Sequence, residues 1–172
     1  MARVTRRNSK GNVFFLEGSK PILDLPGKGK LFRANKDNFP VLTGLAVQTL
    51  KLEEGALREP HLHPNAHQLD YCISGSARVG IVGPGNYRQI LELQVGDISF
   101  VPQGYLHWIE NIGNGPLHFQ VVLSHERPET IELSEMLAGV PKSVLAATFG
   151  ISEDIFRKIP DKTIVIGGGG AL

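Results

Sequence analysis

The chain has 172 residues and a formal net charge of +1, which is a suitable length for one domain with one hydrophobic core. Hydrophobic residues make up 41% and charged residues 20% of the sequence, so the composition excludes a wholly disordered chain. The near-neutral charge gives no reason to expect a nucleic-acid partner, because such proteins usually carry a clear basic excess.

Basic residues are concentrated in residues 1–40, which hold nine Lys and Arg against three Asp and Glu. No aromatic residues interleave with Arg3, Arg6, Arg7 and Lys10, so we interpret this segment as a solvated arm. The sequence has no apolar leader and no run long enough to span a membrane, which predicts a cytoplasmic protein with no membrane partner.

Short β-branched or alternating runs follow, separated by residues that favour turns. The predicted strands cover Val41 to Leu52, Leu69 to Val82, Gln89 to Val95, Ile98 to Val101, and Leu117 to Leu123. Strands of this length and spacing predict an all-β sandwich or barrel.

The character of the sequence changes after Ser124, where apolar residues recur at helical spacing. This pattern predicts short helices over Leu133 to Ala138, Ser143 to Phe149, and Glu153 to Lys158. The predicted organisation is a basic arm over residues 1–40, a barrel over 41–125, a helical extension over 126–160 and a flexible tail over 161–172.

Histidines near the predicted strands are the candidate metal ligands. Alternate residues of a strand face the same side, so His61 and His63 can direct two imidazoles to one point, and His107 can join them from another strand. Imidazole ligands suit Mn, Fe, Zn, Ni or Cu, and a site with protein ligands on one side keeps positions open for a substrate.

These residues lie in two motifs, Gly55-x5-His61-x-His63-x4-Gln68-x6-Gly75 and Gly96-x5-Pro102-x-Gly104-x2-His107-x3-Asn111. The motifs resemble those of the cupin superfamily. The segments Leu57 to Ala66 and Ile73 to Arg78 look like the bicupin oxalate decarboxylases, which are germin-like proteins, and most like their C-terminal barrel.

The resemblance implies a double-stranded β-helix, the jelly-roll barrel of cupins, and one divalent metal ion held by His61, His63 and His107. It implies that Arg58 binds a small carboxylate substrate. Gln68 stands where the family has a glutamate ligand, so the site loses one negative charge and manganese chemistry is less assured. His67 is an alternative to Gln68, because a local bulge would place it on the metal.

The decarboxylating barrel of the family also has a lid glutamate that supplies a proton. The corresponding stretch of this chain, residues 124–130, differs from that lid, and Glu126 or Glu129 would act as the general acid only if the loop folds over the site. The alternative interpretation of both is a solvated surface carboxylate.

The resemblance favours a metal-dependent decarboxylase or oxidoreductase that acts on a small carboxylate such as oxalate. Two alternatives stay open at this point: a cupin dioxygenase or isomerase with a larger organic substrate, and a binding or storage protein without turnover. Because bicupins pair two barrels in one chain, a homodimer or a higher homo-oligomer is expected here.

Overall fold

The computed structural model describes residues 11–168. Arg3, Arg6, Arg7 and Lys10 of the predicted arm lie outside this range, as do residues 169–172 of the predicted tail. Two antiparallel sheets pack face to face as a jelly-roll barrel, and three short helices follow near the C-terminal end. The all-β barrel predicted from the sequence is confirmed.

Twelve strands, three α-helices and one turn of 3-10 helix at Leu16–Gly18 make up the described chain. The strands are β1 Leu23–Leu25, β2 Gly29–Ala34, β3 Ala46–Leu52, β4 Ala56–Leu62, β5 Gln68–Ser74, β6 Ala77–Gly83, β7 Tyr87–Leu93, β8 Ile98–Val101, β9 Leu106–Asn111, β10 Leu117–Leu123, β11 Ile131–Glu132 and β12 Ile166–Gly168. The helices are α1 Leu133–Gly139, α2 Lys142–Phe149 and α3 Glu153–Phe156.

The first sheet has the strand order β1-β2-β3-β10-β5-β8, and the second has the order β11-β4-β9-β6-β7 with β12 also paired to β4. Apolar side chains from both sheets fill the space between them, and Leu50, Phe119, Ile81 and Ile109 are each at most 2% exposed. The polar site described below is built into one end of this interior, on β4, β5 and β9.

The segment 1–40 is not a solvated arm over its whole described length. Strands β1 and β2 fall inside it, and β2 pairs with β3 along its full length. Leu31, Phe32 and Ala34 are buried, while Lys30 is exposed and ion-paired with Asp24. The high count of basic residues concealed a strand that buries apolar side chains on both of its faces, Leu31 on one and Phe32 and Ala34 on the other.

The predicted strand from Leu69 to Val82 is two strands, β5 and β6, that belong to different sheets. The break falls at Gly75, whose φ of +87° is a conformation that residues with a Cβ rarely adopt. A Cβ at this position would also lie 3.0 Å from Leu117 Cα.

The predicted flexible tail is wrong for residues 166–168. Ile166 is 0% exposed and its strand, β12, pairs with β4 opposite Arg58. Burial of Ile166 and the hydrogen bonds that the Val165 carbonyl accepts from the Glu59 N–H and from Arg58 Nη1 hold this segment against β4. The glycine-rich sequence around it did not indicate this. Within residues 11–168, no helix is long and apolar enough to cross a membrane.

Candidate metal centre

Three buried histidines converge inside the barrel. His61 on β4 and His107 on β9 are direct partners in the register of the second sheet, and His63 lies just beyond the end of β4. The three side chains are 3%, 0% and 4% exposed, respectively, for His61, His107 and His63. One ring nitrogen from each lies within 4.8 Å of the others.

A register shift in β4 brings Arg58 to the same side of the barrel as His61. These residues are three positions apart, so strict strand alternation would place them on opposite faces. The pairing of β4 with β9 shifts between them, and Pro60 lies inside the shifted segment, where the missing backbone N–H is tolerated. Arg58, His61 and His63 consequently line one cavity.

Backbone carbonyls select the tautomer of each histidine. Nδ1 of His61 lies 2.7 Å from the Glu59 carbonyl oxygen, Nδ1 of His63 lies 2.7 Å from that of Glu129, and Nδ1 of His107 lies 3.1 Å from that of Tyr105. A carbonyl oxygen can only accept, so Nδ1 carries the proton in all three rings. The Nε2 lone pairs are therefore free to bind a metal.

The three rings are held in their neutral form. Desolvation lowers the pKa of His61 well below 6.5, lowers the pKa of His63, and lowers the pKa of His107 to about 3. The positive charge of Arg58 lowers each of these pKa values further. Neutral imidazole is the form that coordinates metals, so this cluster needs no deprotonation to do so at neutral pH.

Gln68 directs its amide oxygen at the histidines. Its Oε1 lies 3.0 Å from His63 Nε2 and 3.2 Å from His107 Nε2. Its Nε2 donates to Asp70 Oδ1 at 2.9 Å, which fixes the orientation of the amide. Three imidazole nitrogens and one amide oxygen thus form a four-donor set that fits a divalent transition-metal ion.

His67 lies away from this set. The residue is exposed, its ring stacks on Phe100 at a centroid distance of 5.5 Å, and its Nδ1 accepts a hydrogen bond from the Gln103 backbone N–H at 3.0 Å. The geometry therefore places Gln68, and not His67, beside the three histidines.

Arg58 is engaged by a carboxylate of the protein itself. Its Nη1 and Nη2 donate to Glu132 Oε2 and Oε1 at 2.6 and 2.5 Å, and Nη1 also donates to the Val165 carbonyl at 3.0 Å. Only 7% and 9% of the two side chains are exposed. The Nη1–Nη2 edge of Arg58, which could bind a substrate carboxylate through two hydrogen bonds, is therefore already occupied by Glu132.

The structure does not bring the side chains of Glu126 and Glu129 to the histidines. Glu126 accepts hydrogen bonds from the Gly44 N–H at 3.2 Å and from Lys36 Nζ at 3.3 Å, and these contacts hold its pKa below the usual value. The Glu129 side chain is exposed, although its backbone carbonyl accepts from His63. In this conformation both are surface carboxylates.

Sequence reasoning missed the polar residues that surround the cluster, namely Arg33, Gln48, Asp70, Ser99 and Glu132. Asp70 is 0% exposed and Glu132 is 7% exposed. For Asp70 the sequence does contain a signal, because strand alternation along β5 places Asp70 on the same face as Gln68. Glu132 carries no such signal, because its partner Arg58 lies 74 residues away along the chain.

Two cavities border the site and share Arg58. The inner cavity has a volume of about 10 Å³ and is lined by Gln48, Arg58, His61, His63 and Gln68 together with apolar residues. The outer cavity has a volume of about 310 Å³ and is lined in part by Arg33, Arg58 and Glu132. The inner space suits a single ion or water molecule, and the outer one suits a small organic molecule.

Comparison with known proteins gives consistent matches for this architecture. The family profile described as Cupin matches residues 16–155. Oxalate decarboxylase OxdC of Bacillus subtilis (strain 168) is 33% identical over 126 residues, which cover 73% of this chain and 33% of that protein. Germin-like protein subfamily 2 member 2 of Arabidopsis thaliana is 25% identical over 161 residues, which cover 90% of this chain and 74% of that protein.

Among solved structures, one of Bacillus subtilis oxalate decarboxylase, from work on the Mn(II) centres of that enzyme, superposes with a TM-score of 0.83 at 28% identity. The superposition covers 96% of this chain and 44% of that one. The chain spans about a third of the length of the oxalate decarboxylases that it matches in sequence.

Proposed function

This chain belongs to the cupin family, and we propose that it is a metal-dependent enzyme acting on a small carboxylate. His61, His63, His107 and Gln68 are the proposed ligands of one divalent metal ion. The proposed reaction is decarboxylation or oxygen-dependent oxidation, and oxalate is the substrate to test first because similar proteins are named oxalate decarboxylases. Mn(II) is the first metal to test, since it is named for the Bacillus subtilis enzyme.

The observation that carries this proposal is that hydrogen-bond acceptors of His63, His107 and Gln68 face one another with no donor between them. The Nε2 atoms of His63 and His107 are unprotonated in the tautomer that their carbonyl partners require, yet they lie 3.0 and 3.2 Å from an amide oxygen that is also an acceptor. Acceptors in such contact repel one another unless a cation or donor lies among them. A divalent metal ion resolves this conflict.

The charge of the ligand set supports an anionic substrate. Three neutral imidazoles and one amide leave the charge of a divalent ion uncompensated by its protein ligands. Glutamate at the position of Gln68 would remove one unit of that charge. A carboxylate entering an open position of the metal therefore gains more electrostatic stabilisation here than beside an anionic ligand set.

The size of the inner cavity favours a small substrate over the larger organic substrates of a dioxygenase or isomerase. Its volume of about 10 Å³ leaves little space beyond the metal position. In this proposal a two-carbon acid would bind the metal with one end and extend towards the outer cavity, which shares Arg58 with the inner one. A bulky substrate would need rearrangement of buried side chains such as Leu50 and Ile109.

A bound ion of this kind would supply Lewis-acid polarisation of the carboxylate and, where the metal is redox-active, electron transfer. The chain's own contribution is preorganisation. The carbonyls of Glu59, Glu129 and Tyr105 fix the imidazoles in the ligating tautomer. The apolar side chains of Ile109 and Val121 line the same cavity and restrict water.

The test combines metal content with product analysis. Protein reconstituted with Mn(II) should bind one ion per chain and convert oxalate either to formate and carbon dioxide or, with oxygen, to carbon dioxide and hydrogen peroxide. His61→Ala should lose both metal and turnover. His67→Ala is the matched control, because it removes an exposed histidine of the same segment, and it should retain both.

Metal uptake without turnover of oxalate or related acids would support the alternative of a binding protein. Failure of the wild type to take up Mn, Fe, Zn, Ni or Cu would overturn the metal proposal itself. The expected homodimer or higher assembly and the cytoplasmic location stay predictions, and light scattering of the purified chain tests the first of them.

A further inference from the structure

Arg33 is an arginine of the outer cavity without a carboxylate partner within residues 11–168. It lies on β2 and lines the cavity of about 310 Å³ together with Arg58, Glu132 and Thr130. Arg33 is half-buried, and desolvation followed by repulsion from Arg58 lowers its pKa, with Glu132 opposing. A guanidinium that has lost part of its hydration normally has a partner that satisfies its charge.

One edge of the Arg33 guanidinium is engaged by an amide. With the Gln48 side chain turned so that its oxygen faces Arg33, that oxygen accepts from Nε and from Nη2 at 3.3 Å each. These contacts occupy the Nε–Nη2 edge. The Nη1–Nη2 edge, which has the geometry for two parallel hydrogen bonds to a carboxylate, has no protein partner among the described residues.

Arg58 provides the contrast. Both of its Nη atoms donate to Glu132, and Nη1 also donates to the Val165 carbonyl. The two arginines line the same cavity, but they differ in whether the Nη1–Nη2 edge is free to bind the carboxylate of a ligand. A carboxylate entering this cavity would displace Glu132 to bind Arg58 bidentately, but it would displace no protein carboxylate to bind Arg33.

Arg33 also lies close to the histidine cluster. Its partner Gln48 lines the inner cavity with His61 and His63. The positive charge of Arg33 contributes to the lowering of the His63 pKa. The pair Arg33 and Gln48 thus connects the outer cavity, where a small molecule fits, with the inner cavity, where the metal ligands converge.

We propose that Arg33 is the carboxylate-binding residue of the outer cavity and that Gln48 holds its guanidinium in place. The ligand class is a small carboxylate, one end of which binds the Nη1–Nη2 edge of Arg33 while the remainder extends towards His61 and His63. This deepens the proposed function and rests on it for the identity of the substrate. The anion site itself requires no metal.

The test is calorimetric titration of oxalate into metal-free and Mn(II)-loaded protein, for the wild type and for Arg33→Gln, Arg33→Lys and Arg88→Gln. Arg33→Gln should weaken oxalate binding at least about tenfold in both forms, as expected for loss of a charge-assisted bidentate contact. Arg33→Lys should show a smaller loss, because lysine keeps the positive charge but cannot donate two parallel hydrogen bonds to a carboxylate. Arg88→Gln removes an exposed guanidinium on β7 and should bind as the wild type does.

The titrations separate this proposal from the metal proposal. Metal affinity should be unchanged in Arg33→Gln, so a loss of oxalate binding with full metal content assigns the effect to the anion site. Oxalate binding by metal-free wild type, lost in Arg33→Gln, would support the Arg33 site even if no metal were taken up. Equal oxalate affinity in Arg33→Gln and the wild type would overturn it, as would no oxalate binding by the wild type. If Arg33→Gln does not fold, Arg33→Lys decides by the same comparison.

Discussion

The Gln68 amide nitrogen donates to Asp70 Oδ1 at 2.9 Å, and this bond determines which end of the amide faces the histidines. Ser99 Oγ donates to the other Asp70 oxygen at 2.8 Å, so the carboxylate is itself held in place. Asp70 thus lies one hydrogen bond away from the ligand set and is the acceptor that orients the Gln68 amide. The pair Gln68 and Asp70 places a ligand oxygen and an acidic group on two residues, where a glutamate ligand would place both on one.

Removing the Asp70 carboxylate should weaken metal binding, although Asp70 does not touch the metal position. In Asp70→Ala the Gln68 amide loses the acceptor that fixes it, and we expect a loss of about 10- to 100-fold in metal affinity, the range for groups that orient ligands. Asp70→Asn keeps a carbonyl acceptor and should lose less. Competition titration against a chelator measures both, and equal affinity of Asp70→Ala and wild type would contradict this role.

Exchanging the amide of Gln68 and the carboxyl group of Asp70 between the two positions should show that these residues are coupled in the free energy of unfolding. Gln68→Glu alone places two carboxyl groups in contact that cannot both ionise without repulsion, and it should lower the stability of the metal-free protein at neutral pH. In Gln68→Glu/Asp70→Asn the amide at position 70 donates to the new glutamate, so stability should recover. We expect a coupling free energy of about 1 kcal/mol or more from urea unfolding. Additive effects of the two substitutions would show that the residues act independently.

The stability of the metal-free protein should report on Asp70 through its pH dependence. Burial raises the Asp70 pKa from 3.8 to about 7, so between these pH values the folded state holds a proton that the unfolded chain has released. The proton bound to Asp70 therefore stabilises the folded state fully below pH 3.8, and this contribution is lost as the pH rises to about 7.

Asp70→Asn removes this titration. Its free energy of unfolding, relative to that of the wild type, should therefore increase as the pH is raised from about 4 to about 8. The three histidines have lowered pKa values and give the opposite slope. That slope is common to both proteins and cancels in the difference. Urea unfolding at a series of pH values in the presence of a chelator tests this, and a difference independent of pH would contradict the raised pKa.

Local spacing explains what could be predicted from the sequence. His61 and His63 are two residues apart in one extended segment, turn residues separate the strands, and the second motif contains His107, so the barrel and the three histidines follow from short-range patterns. Glu132 could not be predicted in this way, because its role depends on Arg58, 74 residues earlier. Arg33 was missed because β2 lies in the segment whose basic residues were interpreted as a solvated arm, so its pairing with β3 was not expected.

The ion pair of Arg58 and Glu132 should behave as a buried pair. Glu132→Gln leaves the Arg58 charge without a counter-ion, and we expect destabilisation of about 3 to 5 kcal/mol. Arg58→Met/Glu132→Leu removes both charges and should cost less than the single change. The control is the exposed pair Arg78 and Glu92, with side chains 38% and 60% exposed, where Glu92→Gln should cost less than about 1 kcal/mol.

Urea unfolding of the metal-free variants measures these differences. A double variant of Arg58 and Glu132 that is less stable than Glu132→Gln would contradict this account. It would show that the pair contributes more through its hydrogen bonds than it costs in desolvation.

The glycine that ends β5 should be intolerant of any side chain. Gly75 has a φ of +87°, and a Cβ would lie 3.0 Å from both Leu117 Cα and the Pro116 carbonyl oxygen, which are backbone atoms that cannot move aside cheaply. Gly75→Ala should therefore lower the free energy of unfolding by about 1 to 3 kcal/mol. Gly115→Ala is the control in the adjacent loop, because a Cβ there meets nothing within 4 Å.

The two alanine variants separate backbone strain from a general effect of changing a loop residue. Chemical denaturation should show a clear loss for Gly75→Ala and a change within about 0.5 kcal/mol for Gly115→Ala, as for an uncrowded surface substitution. Because β5 carries Gln68 and Asp70, strain at its end should also reach the ligand set, and the metal affinity of Gly75→Ala should fall with its stability. A Gly75→Ala protein as stable as the wild type would show that the turn between β5 and β6 accommodates a side chain.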